Sequence, residues 1–457
     1  MLNATLRTAL IDIVGTTRYL DRAEDLACYA YDSSLEEGLP EAVLFPLTTA
    51  EVAAVVSIAA AARIPITPRG AGTSLCGASV PARQGIVLCF SKMNRIIEIN
   101  TADRYAIVEP GVINGDLQQA LAPFGFFYPP DPSSLNISTI GGNVALNAGG
   151  PRCLKYGVTV DYVLGMQVVL ASGKVVRFGS KNVKDVTGYK LSALFCGSEG
   201  TLGLVTEITL KVVPSPETVR TVLVTFADLD HTARAVSSII GAGIIPVAME
   251  LMDKITINAI EDAVQLGLPR EAEGVLLIEV DGSVETCRRE MRRIVERVRE
   301  HGAVAINQAD TPAEREKLWA ARRQAYGVFA KIAPDILTED VTVPVSKVPE
   351  MIRRIHAIGE KYGVVISVLA HAGDGNMHPL IAADRSDRAG WERVLQAFAE
   401  IFAAGAALGG TLSGEHGIGM AKAPFLHLVM DQDSHDFLRQ IKGAVDPENI
   451  LNPGKFL

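Results

Sequence analysis

Apolar residues along this chain fall in short runs, and the glycines, prolines and charges that break them set the expected elements. In the first half the runs have strand length: 42–45, 65–67, 85–89, 95–100, 105–109, 163–170, 175–178 and 203–213. The alanine- and valine-rich window 52–62 is different. It follows Thr48-Thr-Ala-Glu51, which has capping-box form, so a helix over about 51–63 packed on a sheet is expected. The window is too short to span a membrane. A second helix is predicted over 117–122, and 129–161 reads as a long irregular segment.

Pro214-Ser-Pro216 cannot continue a strand ladder and marks a linker. Beyond it strands and helices alternate: strands at 219–226, 246–251, 274–281 and 303–307, and helices at 231–240, 285–301 and 313–333. A strand at 341–344, a helix at 348–362 and a hairpin built on 364–370 follow. That rhythm predicts a ferredoxin-like sheet with helices on one face.

The chain has 457 residues, too many for one ordinary core, and 48% are hydrophobic against 21% charged, which is a globular balance. A net charge of −9 argues against nucleic acid as a partner. The one arginine-rich run, from Cys287 to Arg297, is interrupted by glutamates and reads as a solvated helix face. Cysteines 28, 76, 89, 153, 196 and 287 form no Cys-x-x-Cys pair, so neither an iron–sulfur cluster nor a disulfide framework is expected. The start lacks the basic and apolar regions of a secretory signal. A cytoplasmic protein is expected, at most peripheral to the inner membrane through a partner.

Three segments are rich in glycine and asparagine: Pro68-Arg-Gly-Ala-Gly-Thr-Ser74, the stretch 131–150 and Gly197-Ser-Glu-Gly-Thr-Leu-Gly203. The first follows a strand but lacks the third glycine and the later acidic residue of a Rossmann fingerprint. Together they would let backbone approach a large, flat, phosphorylated ligand at several points, as a flavin dinucleotide cradle of another topology would. Three of the eight histidines lie in His371-Ala-Gly-Asp-Gly-Asn-Met-His378 and Ser413-Gly-Glu-His-Gly-Ile-Gly419. Two imidazoles and a carboxylate suit an open divalent metal site, with His416 placed to act as a base.

These segments, with Pro130-Asp-Pro-Ser133, Gly141-Gly-Asn143 and Asp446-Pro-Glu-Asn-Ile-Leu-Asn-Pro-Gly-Lys455, resemble the FAD-linked 2-hydroxy acid dehydrogenases. Members include the glycolate oxidase flavin subunit and D-lactate dehydrogenases, on the vanillyl-alcohol-oxidase/p-cresol-methylhydroxylase (PCMH) flavoprotein fold. The resemblance implies an α+β chain: a PCMH-type FAD-binding domain, then a ferredoxin-like α+β cap, with a C-terminal segment returning to the FAD domain. The expected divisions are a helical segment 1–40, the FAD domain 41–214, a cap with the metal site 215–420 and a C-terminal helical segment 421–457.

By the same resemblance Arg69, Gly70, Ala71, Gly72, Thr73 and Ser74 would hold the FAD diphosphate. Pro132, Ser133, Thr139, Gly142, Asn143, Asn147 and Gly149 would line the flavin, Glu199, Gly200 and Val205 would touch it, and Asn452 would return to it. The diphosphate loop has no histidine, so non-covalent FAD is implied. His371, His378 and Glu415 would bind the metal (zinc, manganese or iron), with His416 as general base and FAD taking the hydride from C2 of the substrate. Arg322, in Trp319-Ala-Ala-Arg322, would bind the substrate carboxylate, with Tyr326 as companion. Dicarboxylate-using members carry a lysine at the place that Thr338 takes here, which favours D-lactate or glycolate over D-2-hydroxyglutarate. A metal-dependent hydrolase on the same ligands, and a non-catalytic flavin subunit, are the competing readings. The electrons would pass to a partner (an iron–sulfur subunit, an electron-transfer flavoprotein or a quinone pathway), in a homodimer or a hetero-complex.

Overall fold

In the computed structural model, which describes residues 2–457, the chain divides into two units. One holds the residues up to Gly149 with Val158–Ser215 and Glu415–Leu457; the other holds Gly150–Gly157 and Pro216–Gly414.

The first unit is built on two main sheets and a two-stranded ribbon of Phe126–Phe127 with Val213–Pro214. In the smaller, the strands run in the order Tyr19–Leu20, Ala42–Leu44, Ile86–Cys89, Ile66–Arg69, and the last three are parallel. Parallel strands are buried on both faces, and Ala42, Val43, Leu44, Ile86, Val87 and Leu88 are all fully buried. The helix Thr49–Ala62 covers this sheet through Val52, Val55, Val56 and Ala59. Thr48 caps its Glu51 N–H at 3.2 Å, but the Glu51 carboxylate does not return to Thr48. It accepts instead from Leu47 N and from Arg18. The larger sheet is antiparallel: Ile96–Asn100, Tyr105–Val108, Leu204–Lys211, Val163–Val169, Val175–Gly179. The segment expected to be irregular contains the helix Ile140–Leu146, capped by Thr139 and ended by Asn147 in the left-handed region.

The second unit is one eight-stranded antiparallel sheet, in the order Ala303–Ala309, Thr218–Phe226, Gly274–Gly282, Ala248–Asp253, Ser367–His371, Asn376–Ala383, Asp335–Thr338, with Val341–Thr342 also on Asn376–Ala383. Helices cover both of its faces, not one as the alternation suggested. Leu229–Gly241, Val284–Glu300, Val348–Tyr362 and Arg388–Ala407 pack on one face. Lys254–Val264 and Pro312–Phe329 pack on the other. Val284–Glu300 buries Cys287, Met291, Ile294 and Val298, an i, i+4, i+7, i+11 stripe that leaves its arginines outward. Thr311 and Glu314 close a capping box at the start of Pro312–Phe329.

Residues 415–420 lie with the first unit, not in the cap domain 215–420 that the resemblance implied. The cause is local: Glu199 accepts from the N–H groups of Ile418 and Gly419, and the Cys76 carbonyl accepts from Met420 N. Among the described residues no disulfide joins any of the six cysteines, and no helix is long and apolar enough to cross a membrane.

Candidate active site

The three glycine-rich segments converge within the first unit. A Cβ on Gly70 would fall on the Thr139 hydroxyl, and one on Gly200 (φ +71°) would strike the Pro68 ring. Gly197 N and Glu199 N donate to the carbonyls of Val144 and Ala145, at 2.8 and 2.7 Å, which ties the third segment to the second. Asn452 reaches both ends of the cluster, donating through Nδ2 to Ala78 O (2.9 Å) and Glu199 O (2.6 Å). Its backbone N–H adds a bond to Ile66 O.

Within this cluster the expected FAD residues occupy different surroundings. Arg69 is buried, donating to Tyr31 O at 2.7 Å with its guanidinium over the Tyr29 ring. Ala71 is exposed, and Gly70, Gly72 and Thr73 are half-buried beside it. Ser74 turns the loop, its Oγ accepting from Cys76 N and Ala78 N. Pro132 is half-buried and Ser133 exposed, whereas Thr139, Asn143 and Gly149 are buried. Gly142 donates to Thr139, Asn147 Oδ1 accepts from Val160 N, and Val205 is half-buried on its strand. Glu199 is buried with its carboxylate on the Ile418–Gly419 turn, two residues past His416. Burial pushes that carboxyl up, and the two N–H groups oppose the rise only in part.

Two observations fit this unit to a flavin dinucleotide. The loops approach one another where a Cβ would fill the space. Ser138 Oγ and Asn452 Oδ1 are also buried without a hydrogen-bond partner in the protein, in segments expected to line the ligand. Asn114, which motif reading passed over, is fully buried and bridges Pro130 O and Asn143 Oδ1, each at 3.1 Å.

In the second unit the strands Ser367–His371 and Asn376–Ala383 form a hairpin. His371 pairs with Asn376 and Leu369 with His378, so the two histidines are diagonal neighbours on one face. Their rings lie 5.1 Å apart and edge to face. Gly375 (φ +85°) makes the turn, where a Cβ would run into the Val343 carbonyl. Both rings are nearly buried and held at Nδ1: His371 by the Glu250 carboxylate at 2.8 Å, His378 by Glu339 O at 3.3 Å. An imidazole whose Nδ1–H faces an acceptor presents its lone pair at Nε2, the arrangement usual for a metal-binding histidine. Asp340, fully buried, lies 3.8 Å from His378 Nδ1 and accepts from Ser413 Oγ at 2.5 Å. The donor chemistry here suits a divalent ion.

Glu250 sits directly across the ladder from His371. Its second oxygen accepts from Arg322 Nε at 2.5 Å, and both side chains are buried. Burial pushes the Glu250 carboxyl up, but His371 and Arg322 outweigh it and leave it below the ordinary carboxylate value. Arg322 is thus a buried residue of Pro312–Phe329 and not a surface one, while Tyr326, one turn on, is partly exposed. Glu250 had one sequence signal, a lone carboxylate in the apolar run Ala248-Met-Glu-Leu-Met. Of the four residues expected to form the metal and base site, His371 and His378 belong to the second unit, Glu415 and His416 to the first.

Residues 40–179 match a FAD binding domain, and residues 215–456 match the C-terminal domain of FAD linked oxidases. The chain is 46% identical to the glycolate oxidase subunit GlcD of Bacillus subtilis, covering 100% of this chain and 97% of that one. It is 35% identical to a D-lactate dehydrogenase of Anaerostipes hadrus, over 91% of this chain and 89% of that one. Among solved structures it is similar to p-cresol methylhydroxylase with substrate bound, at a TM-score of 0.82 and 20% identity, covering 98% of this chain and 96% of that one.

Proposed function

The chain belongs to the FAD-linked oxidases, and from that premise we propose that it is a FAD-dependent dehydrogenase converting a small 2-hydroxy acid, D-lactate or glycolate, to the 2-oxo acid. One observation carries the choice of substrate class. Arg322 is buried, is held through Nε alone, and has terminal nitrogens that make no hydrogen bond within the protein among the described residues. A buried guanidinium with open terminal N–H groups is a receptor for a carboxylate. The names of the two relatives above, a glycolate oxidase subunit and a D-lactate dehydrogenase, support the same class.

When bound, FAD supplies the hydride acceptor, and a divalent metal acidifies the substrate hydroxyl. In this reading Arg322 binds the carboxylate, and His371 and His378 offer their Nε2 atoms to the metal, with Glu415 as the third ligand. His416 takes the hydroxyl proton. Glu199 holds the turn that follows His416 by its backbone N–H groups. Thr338, at the place of the lysine expected for a dicarboxylate, favours the small acids. A hydrolase built on the same ligands would have no use for a FAD-binding domain. The electrons then leave through a protein partner or quinone pathway, because the scattered cysteines, with no Cys-x-x-Cys pair, offer no relay.

The test is anaerobic mixing of the yellow holoenzyme with 2-hydroxy acids of both hands, with and without chelator. D-lactate or glycolate is expected to bleach the flavin, more slowly after chelation, and His416→Ala to slow bleaching by ~10²–10⁴-fold. A flavin that stays oxidised with every acid in the panel would overturn the proposal.

A further inference from the structure

One carboxylate holds two of the side chains to which this function is assigned. Glu250 is 0% exposed in the middle strand of an apolar sheet, where a lone acid is costly unless it is partnered. Its Oε2 accepts from Arg322 Nε at 2.5 Å, and both of its oxygens lie within hydrogen-bond reach of His371 Nδ1, at 2.8 and 2.9 Å. His371 faces it across the ladder and Arg322 descends on it from the helix Pro312–Phe329. On the imidazole, the carboxylate keeps the proton at Nδ1 and the lone pair at Nε2. On the guanidinium, it takes Nε–H and so turns the terminal nitrogens toward another acceptor.

We propose that Glu250 is a positioning residue that sets both ends of the substrate site: the metal-binding histidine and the carboxylate-binding arginine. The proposal rests on the functional reading above for the roles of His371 and Arg322.

The decisive variant is Glu250→Gln. A glutamine has one accepting and one donating end, so one of the two places now filled by a carboxylate oxygen would hold an N–H group, and both places lie within reach of His371 Nδ1. With its oxygen toward Arg322 it sets an N–H group in the Oε1 place, 2.8 Å from His371 Nδ1, where it competes with the Nδ1 proton and favours the tautomer protonated at Nε2. With its oxygen toward His371 it confronts Arg322 with an N–H group. Glu250→Asp keeps both acceptors on a shorter arm. The holoenzymes of the wild type, both variants and His378→Ala are stripped of metal and titrated with Zn²⁺. D-lactate steady-state constants, flavin absorbance and circular dichroism follow on the same samples.

Glu250→Gln is expected to bind Zn²⁺ about 10–100-fold more weakly and to raise KM for D-lactate, with flavin content unchanged. Glu250→Asp should recover part of both, which a purely structural role would not predict. Zinc affinity and KM in Glu250→Gln within twofold of wild type would overturn the positioning role while leaving the functional reading intact. If Glu250→Gln does not fold, Glu250→Asp decides: wild-type zinc affinity and KM overturn the proposal, and a fall in affinity with a rise in KM supports it. Wild-type protein that takes up no Zn²⁺, and behaves as His378→Ala does, would overturn the metal reading and this proposal with it.

Discussion

Gly200 shows how little freedom the loops of the first unit have. Its φ of +71° is a left-handed conformation that a β-carbon disfavours, and the Pro68 ring occupies the space that carbon would take. Gly200→Ala therefore meets strain in the backbone and a clash with a ring that cannot swing aside. A loss of about 1–3 kcal/mol is expected, with reduced flavin retention, read from the melting temperature and the ratio of flavin to protein absorbance. The clustering of such glycines was legible from composition, because three glycine-rich segments exceed what turns require. Which neighbour each glycine admits was not, since Gly200 meets Pro68 and Gly70 meets Thr139 only through the fold.

At the scale of elements, the helix Pro312–Phe329 is anchored to the sheet by charge as well as by apolar contact. Arg315, Trp319 and Arg322 stand at i, i+4 and i+7 on its inner face. Arg315 and Trp319 donate to Glu279, each at 2.7 Å, and Arg322 to Glu250. Thr221 adds another donor to Glu279, which is 2% exposed. Burial pushes Glu279 up, but these donors, Arg315 foremost, hold it below the ordinary carboxylate range. A carboxyl depressed in the folded state adds stability above its unfolded pKa, and that contribution is lost as pH falls through the folded value. Melting temperature should therefore drop on acidification below about pH 4.5. Arg315→Gln should be less stable at pH 7 by about 1.5–3 kcal/mol and should lose less on acidification, as thermal melts from pH 7 to 3 would show.

The helix itself was readable from the alternation of strands and helices, and Arg322 from its motif. Glu250 and Glu279 were not, because their partners are remote in the chain and an acid in a strand ordinarily marks a solvent face. The second helical layer was missed for a related reason. Lys254–Val264 lies between two strands without strong punctuation, and a sheet covered on both faces no longer alternates cleanly.

For the whole molecule, the course of the chain matters more than its composition. The first unit is completed only by Glu415–Leu457, after the second unit has been laid down. Leu451 bridges Ile66, Lys442 is buried against Asp446 and the Leu451 carbonyl, and Lys455 donates to Val80 O at 2.5 Å. A chain stopped after Val445 is expected to be purified without flavin, or to be insoluble, whereas removing residues 2 and 3 should leave flavin content unchanged. Absorbance of the soluble fraction distinguishes these outcomes. The linker at Pro214-Ser-Pro216 announced the departure from the first unit. The return had no such mark, because the turn around Gly419 is drawn back by Glu199, more than two hundred residues earlier.

That return gives Asn452 a place in time as well as in space. A ribosome makes the strand Ile66–Arg69 and its loop early, but the side chain that ties Ala78 to Glu199 emerges only after the second unit. The nascent first unit must wait, with its cradle open on one side, while the whole second unit is synthesised. Cofactor capture is then expected to follow synthesis of the second unit, so that a chain stalled before Asn452 would stay colourless.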